Sequence, residues 1–386
     1  MAKRKPPAPK LETKKARAIR KKEERQTLYV YIGLGAVAFV ILLLLALGLY
    51  QELYAKPASP VAIVGSTPIR TDAYQRRVRL ERYNLKRNIE SLQSQKAYLD
   101  PQKEEDQFYI QLIDSQLQNL QSRLENIGLL VLEKMIEEEL IRQKAAEEGV
   151  TVSPEEVQLY IERLFGYERY PPTPTPTPIT TTQTITETPT PPPTPMSEED
   201  FRKLYQSFLS ILAKEAGISE QEYRELVAVE LLREKLRQAL AEKVPTTAEQ
   251  VHARHILLDT EEEAKKVLEE LKAGADFAEL ARKYSKDEDT KENGGDLGWF
   301  PKGEWEPAFD AVAFSLKVGE ISDIVRTSRG YHIIKVEGHE MDRELDPDYL
   351  AQKRAAALDE WLQQARYSDK VRRLWKPEVV PPEKTP

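Results

Sequence analysis

The segments VHARHILL at Val251–Leu258 and YHIIKVEG at Tyr331–Gly338 decide the fold of the second half of this 386-residue chain. Apolar residues alternate with polar ones in both segments, which is typical of strands with one buried face. N-cap residues predict helices between the two strands, one after Thr260, one after Asp276 and a third over Glu306–Phe314. Strands mixed with short helices predict a compact α+β domain over residues 246–342.

Histidines lie on the buried face of both predicted strands. Alternation places His255 with Leu257 and places His332 with Ile334. On residue pattern alone, each is more typical of a hydrogen-bonded core histidine than of a catalytic one. A further strand is predicted over residues 321–327 (ISDIVRT), directly before YHIIKVEG.

Residues 58–245 are predicted to form a mostly helical, chaperone-like domain. It begins with a small strand–turn–strand element at Pro60–Ile69 and continues with apolar residues at helical spacing. Ser153 and Ser219 each open a capping box with a glutamate three residues later. The predicted helices cover residues 72–98, 102–126, 129–149, 154–165, 197–216 and 220–243.

Residues 28–50 form an uncharged apolar run that is long enough to cross a ~30 Å hydrocarbon core as a helix. The preceding residues 1–27 hold eleven Lys/Arg against three Glu, although the whole chain has a net charge of −7. This asymmetry predicts a single-pass anchor in the cell membrane, with a basic cytoplasmic tail and with the rest of the chain outside. The alternative is a cleaved signal peptide, for which this run is long and no small-residue cleavage site follows closely.

Two further segments lie outside the predicted domains. Residues 167–196 are rich in Thr-Pro steps and predict a disordered insertion. Residues 343–376 predict a C-terminal helix, begun by Asp346 and Pro347, whose apolar stripe packs back on the helical domain. Residues 377–386 predict a disordered tail.

The span from Val251 to Glu340 resembles the parvulin (PpiC) family of peptidyl-prolyl isomerases. The resemblance rests on HARHILL, FAELARKYS, NGGDLGWF, FDAVAFSLKVGEIS and GYHIIKVEG, which occur in the family order. It implies an α+β domain with a four-stranded, mainly antiparallel sheet and surrounding helices. The arrangement of anchor, helical domain, parvulin domain and C-terminal helix is similar to that of membrane-anchored foldases of the SurA/PrsA type.

The resemblance also implies the residues of an active site. His255, Asp287, His332 and Thr327 match catalytic positions, with Asp289 as the alternative to Asp287 because the register is open by one residue. The matching substrate-binding residues are Leu297, Trp305, Phe309, Phe314 and Arg329, of which Arg329 departs from the small polar residue of other members. Because the chain has no cysteine, a thiolate at the Asp287 position is excluded and catalysis is expected to be non-covalent. On pattern alone, Asp287 would be a solvated loop carboxylate.

These features predict a peptidyl-prolyl isomerase that assists the folding of exported proteins at the outer face of the membrane. Its expected partners are unfolded or nascent polypeptides with X-Pro bonds, and no cofactor or metal is expected. A nucleic-acid partner is not expected either, since the body of the chain is acidic. The acidic loop Asp287–Asp289 hints at basic residues before proline. The alternatives are a non-catalytic membrane-tethered chaperone with a parvulin-like peptide-binding module, and a scaffold that holds a complex at the membrane.

Overall fold

The computed structural model describes residues 39–170 and 196–383. The chain divides into two compact units. Of the described residues, the first holds 39–144, 151–170, 196–231 and 364–383, and the second consists of Ala145–Val150 and Leu232–Gln363. The division cuts through three helices, so the domain boundaries given above at residues 245/246 and 342/343 stay predictions.

The first unit is mainly helical. Its helices are α1 (Phe39–Ala58), α2 (Thr71–Ala97), α3 (Glu104–Glu125), α4 (Ile127–Glu147), α5 (Pro154–Leu164), α6 (Glu198–Glu215) and α7 (Glu220–Glu242), the ends of α4 and α7 belonging to the second unit. Its sheet has the antiparallel order β2-β1-β7, with β1 at Pro60–Val64, β2 at Thr67–Arg70 and β7 at Val371–Arg373. The capping box predicted at Ser153 is formed.

Within the described residues, α1 is the one helix long and apolar enough to cross a membrane. It runs to Ala58, past the predicted end at Tyr50, because no helix-breaking residue interrupts the segment before Pro57. Its apolar side chains are exposed; Leu44, for example, is 62% exposed. The predicted anchor residues 28–38, the basic tail 1–27 and most of the Thr-Pro-rich insertion (171–195) lie outside the described residues.

The last part of the C-terminal segment joins the first unit through a strand that the sequence analysis missed, whereas the helix that was expected to pack there belongs mostly to the second unit. β7 pairs with β1, and Trp375 donates from Nε1 to the hydroxyl of Tyr74 at 2.7 Å. Arg373 makes two hydrogen bonds to Glu133, at 2.7 and 2.8 Å. The preceding helix α11 (Pro347–Arg366) lies mostly in the second unit.

The second unit is built on an antiparallel sheet in the order β4-β3-β6-β5. Its strands are β3 (Thr247–Leu258), β4 (Asp296–Pro301), β5 (Val325–Thr327) and β6 (Gly330–Glu344), and its short helices are α8 (Glu261–Lys272), α9 (Phe277–Tyr284) and α10 (Pro307–Ala313). The predicted α+β fold class, with a four-stranded sheet in this domain, is confirmed.

Two details of this sheet differ from the prediction. The segment Asp296–Pro301 forms strand β4, which the sequence analysis did not predict, and pairs with β3. The strand predicted over residues 321–327 shortens to Val325–Thr327, with a single bridge from Ile321 to Lys335. The side chain of Ser322 accepts the backbone N–H of Ile334 at 2.9 Å and so interrupts the ladder.

Alternation along β3 sorts the core of the second unit into two layers. Ile256 and Leu258 pack with α8 and α9 on one face of the sheet. Val251 and Ala253 pack on the other face, together with Phe309 of α10. His255 follows the parity of Val251 and Ala253, so the candidate site lies on the α10 face.

Candidate active site

Strands β3 and β6 bring His255 and His332 together, as their alternation predicted. Leu257 lies opposite His332 and His255 lies opposite Ile334 in the register, so the two histidines are diagonal neighbours. Their Nδ1 atoms are 3.1 Å apart and their rings stack with centroids 5.3 Å apart. His255 is 0% and His332 is 1% exposed, so both are core residues that belong to a polar network.

The loop after α9 delivers Asp287 to this pair. The side chain of Ser285, itself buried, accepts the backbone N–H groups of Leu257 and Asp287 and fastens the loop to β3. Asp287 Oδ2 lies 2.8 Å from His255 Nε2, and the residue is 3% exposed, whereas Asp289 is exposed. The structure therefore brings Asp287, not Asp289, into the network and excludes a solvated loop carboxylate.

The carboxylate of Asp287 is the one charged group within the network of Asp287, His255 and His332. Burial works to raise the pKa of Asp287, but hydrogen bonds from Thr290 and His255 and the charge of Arg329 outweigh it and leave the pKa below its ordinary value. Burial lowers the pKa of His332 to about 4 and also lowers that of His255. At neutral pH the site thus holds one carboxylate and two neutral imidazoles.

These charge states determine which atom donates and which accepts in each hydrogen bond of the network. The carboxylate of Asp287 only accepts, so His255 Nε2 must donate to it and His255 Nδ1 must accept from His332 Nδ1. His332 Nε2 is then an acceptor for the Thr327 hydroxyl at 2.8 Å. Thr327 can in turn accept from a backbone N–H, which Arg329 supplies at 3.1 Å. Thr327 is therefore held in one hydroxyl orientation.

An aromatic wall covers one side of the histidine pair. The ring of Phe309 lies 5.3 Å from that of His332 and 5.1 Å from that of Trp305, and Leu297 and Phe314 pack against the same cluster. Phe309 is 1% exposed, so it forms the floor beneath Trp305. Trp305 Nε1 is buried without a hydrogen-bond partner among the described residues.

One glycine lets the chain before strand β4 lie close against β3 at the site. Gly295 has φ +77°, and a Cβ at this position would lie 2.1 Å from the carbonyl oxygen of His255. The two backbone segments lie this close because the backbone N–H of His255 donates to the carbonyl oxygen of Gly295 at 2.8 Å. Only glycine permits this approach, which positions the following Leu297 beside the aromatic wall.

Arg329 and Glu306 lie at the mouth of the site. Arg329 Nη2 donates to Asp287 Oδ1 at 2.9 Å, and its side chain is 47% exposed. Glu306 accepts from the backbone N–H of Ser328 at 3.0 Å and from its hydroxyl, which ties α10 to the turn between β5 and β6. All nine predicted site residues thus lie in one region of the second unit.

Three contributors were missed by the sequence analysis. Thr290 donates to Asp287 Oδ2 at 2.5 Å, Ser285 fastens the loop, and Glu306 holds Ser328. A hydroxyl three residues after a candidate carboxylate is a turn signal that could have pointed to Thr290. No local pattern indicates the other two, because their partners are distant in sequence.

One group of potential metal ligands lies elsewhere in this unit, among the described residues. Atoms of His252, Asp296 and Glu337 lie within 4.8 Å of one another. Arg254 bridges the two carboxylates, at 3.0 Å from Asp296 and 2.9 Å from Glu337. The guanidinium therefore already supplies the positive charge that these carboxylates need.

Comparison with known proteins assigns a family to this part of the chain. Residues 246–338 match the family model described as Rotamase, PPIC-type PPIASE domain. A Foldase protein PrsA from Oceanobacillus iheyensis is 42% identical over 151 residues, which are 36% of this chain and 47% of that protein. Another from Caldanaerobacter subterraneus is 56% identical over 90 residues, or 23% and 29% of the two chains. The chain spans about half the length, or less, of these two relatives.

Solved structures are similar over a longer part of the chain. The crystal structure of the peptidylprolyl isomerase PrsA from Bacillus anthracis is 25% identical and covers 61% of this chain and 95% of its own, with a TM-score of 0.32. The structure of PrsA from Bacillus subtilis is 25% identical and covers 64% and 86%, with a TM-score of 0.22.

Proposed function

We propose, from the premise that residues 246–338 are a PPIC-type, parvulin domain, that the chain is a membrane-anchored peptidyl-prolyl isomerase. It assists the folding of exported polypeptides and rotates X-Pro bonds without a covalent intermediate. The observation that carries the proposal is an aromatic wall beside a buried series of hydrogen-bonded side chains, Asp287–His255–His332–Thr327, called the polar chain below. Its only charge is the carboxylate of Asp287, which Arg329 neutralises.

The uncatalysed rotation is slow because the amide must lose its resonance, at a barrier of about 20 kcal/mol. A catalyst therefore has to bind the twisted amide better than the planar one. The proline ring is held in a place with little water by the aromatic wall, which consists of Leu297, Trp305, Phe309 and Phe314. Low water content disfavours the planar amide, because its resonance separates charge between nitrogen and oxygen.

The polar chain supplies orientation. Thr327 hydrogen-bonds to His332, and Asp287 hydrogen-bonds to His255, so both ends of the histidine pair are fixed. Because both imidazoles are neutral, they act as positioning residues at neutral pH and do not transfer a proton to the substrate as general acids. Asp287 acts by hydrogen bonding, because it accepts from His255 Nε2 and so fixes the tautomer and the orientation of the histidine pair.

Anchorage outside the cytoplasm is supported by α1 and by the basic segment before it. The exposed apolar surface of α1 fits a hydrocarbon environment. The Lys/Arg excess lies wholly on its N-terminal side, which favours a cytoplasmic N-terminus and an extracytoplasmic isomerase domain.

A second candidate, a non-catalytic tethered chaperone, is favoured by one observation in the first unit. A groove of about 270 Å³ is lined by Tyr160, Leu164, Phe208, Tyr223 and Leu226 among others. Leu164 is 56% exposed there. A surface of this kind fits an extended apolar polypeptide.

The test measures cis-to-trans relaxation of an Ala-Ala-Pro-Phe peptide after a solvent jump, with the full chain in detergent. The full chain is expected to accelerate relaxation. Trp305→Ala is expected to lower kcat/KM about tenfold, as loss of roughly 1.4 kcal/mol of aromatic contact would. Trp299→Ala, in the same domain but stacked on His252, is the matched control and is expected to keep the activity. Absence of acceleration by the folded full chain would leave only the chaperone candidate.

A further inference from the structure

We propose that Arg329 makes this site select an acidic residue directly before proline. The inference rests on the proposed isomerase function and names its substrate class. It replaces the expectation of basic residues that the acidic loop alone suggested.

The charge of Asp287 is already satisfied within the protein. Oδ2 accepts from His255 and Thr290, and Oδ1 accepts from Arg329. The carboxylate is also buried, with 4% of its side chain exposed. It therefore has little field left to attract a lysine or arginine of a substrate.

Arg329, in contrast, offers unused donors to solvent. Guanidinium carries five N–H groups in a fixed fork. Within residues 39–170 and 196–383, Asp287 is the acceptor that the structure gives this side chain, and it engages Nη2. With 47% of the side chain exposed, the outer edge of the fork can receive a carboxylate from a bound peptide.

The position of Arg329 is fixed by the backbone around it. Thr327 pairs with Gly330, so Ser328 and Arg329 form a two-residue turn between β5 and β6. Gly330 has φ +141°, and a Cβ there would lie 2.5 Å from the carbonyl oxygen of Leu258. The turn is thus packed against β3, and the guanidinium is tethered through Asp287 at its far end.

This position is on the side of the residue that precedes proline. The X-Pro carbonyl belongs to that residue, and it must lie near the polar chain while the proline ring lies against Trp305 and Phe309. Arg329 contacts the polar chain at two points, through its backbone N–H to Thr327 and through its side chain to Asp287. Consecutive Cα atoms are 3.8 Å apart, so a glutamate before proline can reach the guanidinium.

The other charges at the mouth do not offset this preference. Glu306 stays ionised, since hydrogen bonds from Ser328 lower its pKa, but these bonds also hold its carboxylate against Ser328. Glu288 pairs with Lys291 at 3.3 Å. Asp289 is a solvated loop carboxylate, whose field is screened.

The experiment compares Glu, Ala and Lys before proline in otherwise identical peptides, with the full chain in detergent. At low salt kcat/KM is expected to be about fivefold higher for Glu than for Lys, the size typical of one half-exposed ion pair. The ratio is expected to approach one at 1 M NaCl, where the Debye length is about 3 Å. The measured quantity is a ratio within one protein, so a general loss of activity in a variant does not affect it.

Variants separate Arg329 from the rest of the surface charge. Arg329→Gln is expected to bring the ratio to about one, Arg329→Glu to invert it, and Arg329→Lys to restore part of it. Arg326→Gln is the matched control, since Arg326 is exposed and lies over the Tyr331 ring. It is expected to keep the ratio.

The outcomes distinguish this inference from the function on which it rests. Acceleration of all three peptides with equal Glu and Lys rates would overturn the role of Arg329 and leave the isomerase intact. No acceleration of any peptide would overturn the isomerase function itself.

Discussion

The low pKa of His332 makes the stability of the parvulin domain depend on pH in a specific window. The pKa falls from 6.5 to about 4 on folding, chiefly because the ring is buried. The unfolded chain therefore binds a proton that the folded chain does not, and stability decreases as pH falls from about 6.5 to about 4. Linkage gives a loss of about 2 kcal/mol between pH 7 and pH 5, and of about 3 kcal/mol by pH 4.

Two neighbours of His332 modify this estimate in known directions. His255 also has a lowered pKa, so it adds a loss of the same sign in the same window. Asp287 has a pKa below its ordinary 3.8, so its contribution is lost only as pH falls below about 4. The window from pH 7 to pH 5 therefore reports on the histidine pair alone within this network.

The assay is urea unfolding at several pH values, followed by the fluorescence of Trp299 and Trp305. The chain has four tryptophans, so Trp361 and Trp375 are replaced by Phe to leave a signal from the parvulin domain. His332→Gln removes the titrating ring and is expected to reduce the loss between pH 7 and pH 5 by about 2 kcal/mol.

The control is His339→Gln, which removes a partly exposed histidine from the same strand, paired with Glu249 at 2.8 Å. It is expected to keep the loss seen in the parent. An imidazole of His332 that titrates at pH 6 or above by NMR, or an unchanged loss in His332→Gln, would refute the reasoning.

Three further substitutions test parts of the site. Phe309→Ala is expected to cost about 3–5 kcal/mol of stability as well as activity, because the ring is 1% exposed. Urea unfolding beside the relaxation assay checks this. Full stability with lost activity would show that the ring only contacts substrate. Gly295→Ala is expected to cost about 3 kcal/mol or more in thermal unfolding, since its Cβ would lie 2.1 Å from a backbone oxygen, whereas Gly298→Ala meets nothing within 4 Å and should cost about 1–2 kcal/mol for its positive φ alone. Thr290→Val removes a 2.5 Å hydrogen bond to Asp287, so the pKa of this carboxyl should rise and the acid limb of the activity profile should move to higher pH, while an unmoved limb would exclude Asp287 from catalysis.

Much of the fold follows from local sequence patterns. Capping boxes at Ser153, Thr260 and Ser219 place helix starts, and these bonds are present in the structure. Period-two alternation in β3 and β6 put both histidines on one buried face, where they meet. These signals are reliable because they depend on residues that are close in sequence.

What could not be predicted depends on distant partners. Strand β7 has only three residues, and it exists because β1 offers an open edge. The burial of Asp287 depends on Ser285 contacting β3, and its neutralisation depends on Arg329, 42 residues later. The acidic loop around Asp287 hinted at basic substrates because none of these contacts is visible in a linear sequence.

The most direct test of the account is exchange NMR of an Ala-Pro peptide with the intact chain in detergent. Uncatalysed X-Pro rotation takes tens of seconds or longer, so cis–trans exchange peaks are absent at short mixing times. The account predicts that exchange peaks appear with substoichiometric chain, and that the catalysed exchange rate falls about tenfold with Trp305→Ala but not with Trp299→Ala. Peptide signals that broaden on binding while the cis and trans forms still do not exchange would contradict it, and would indicate a chaperone that binds proline without rotating it.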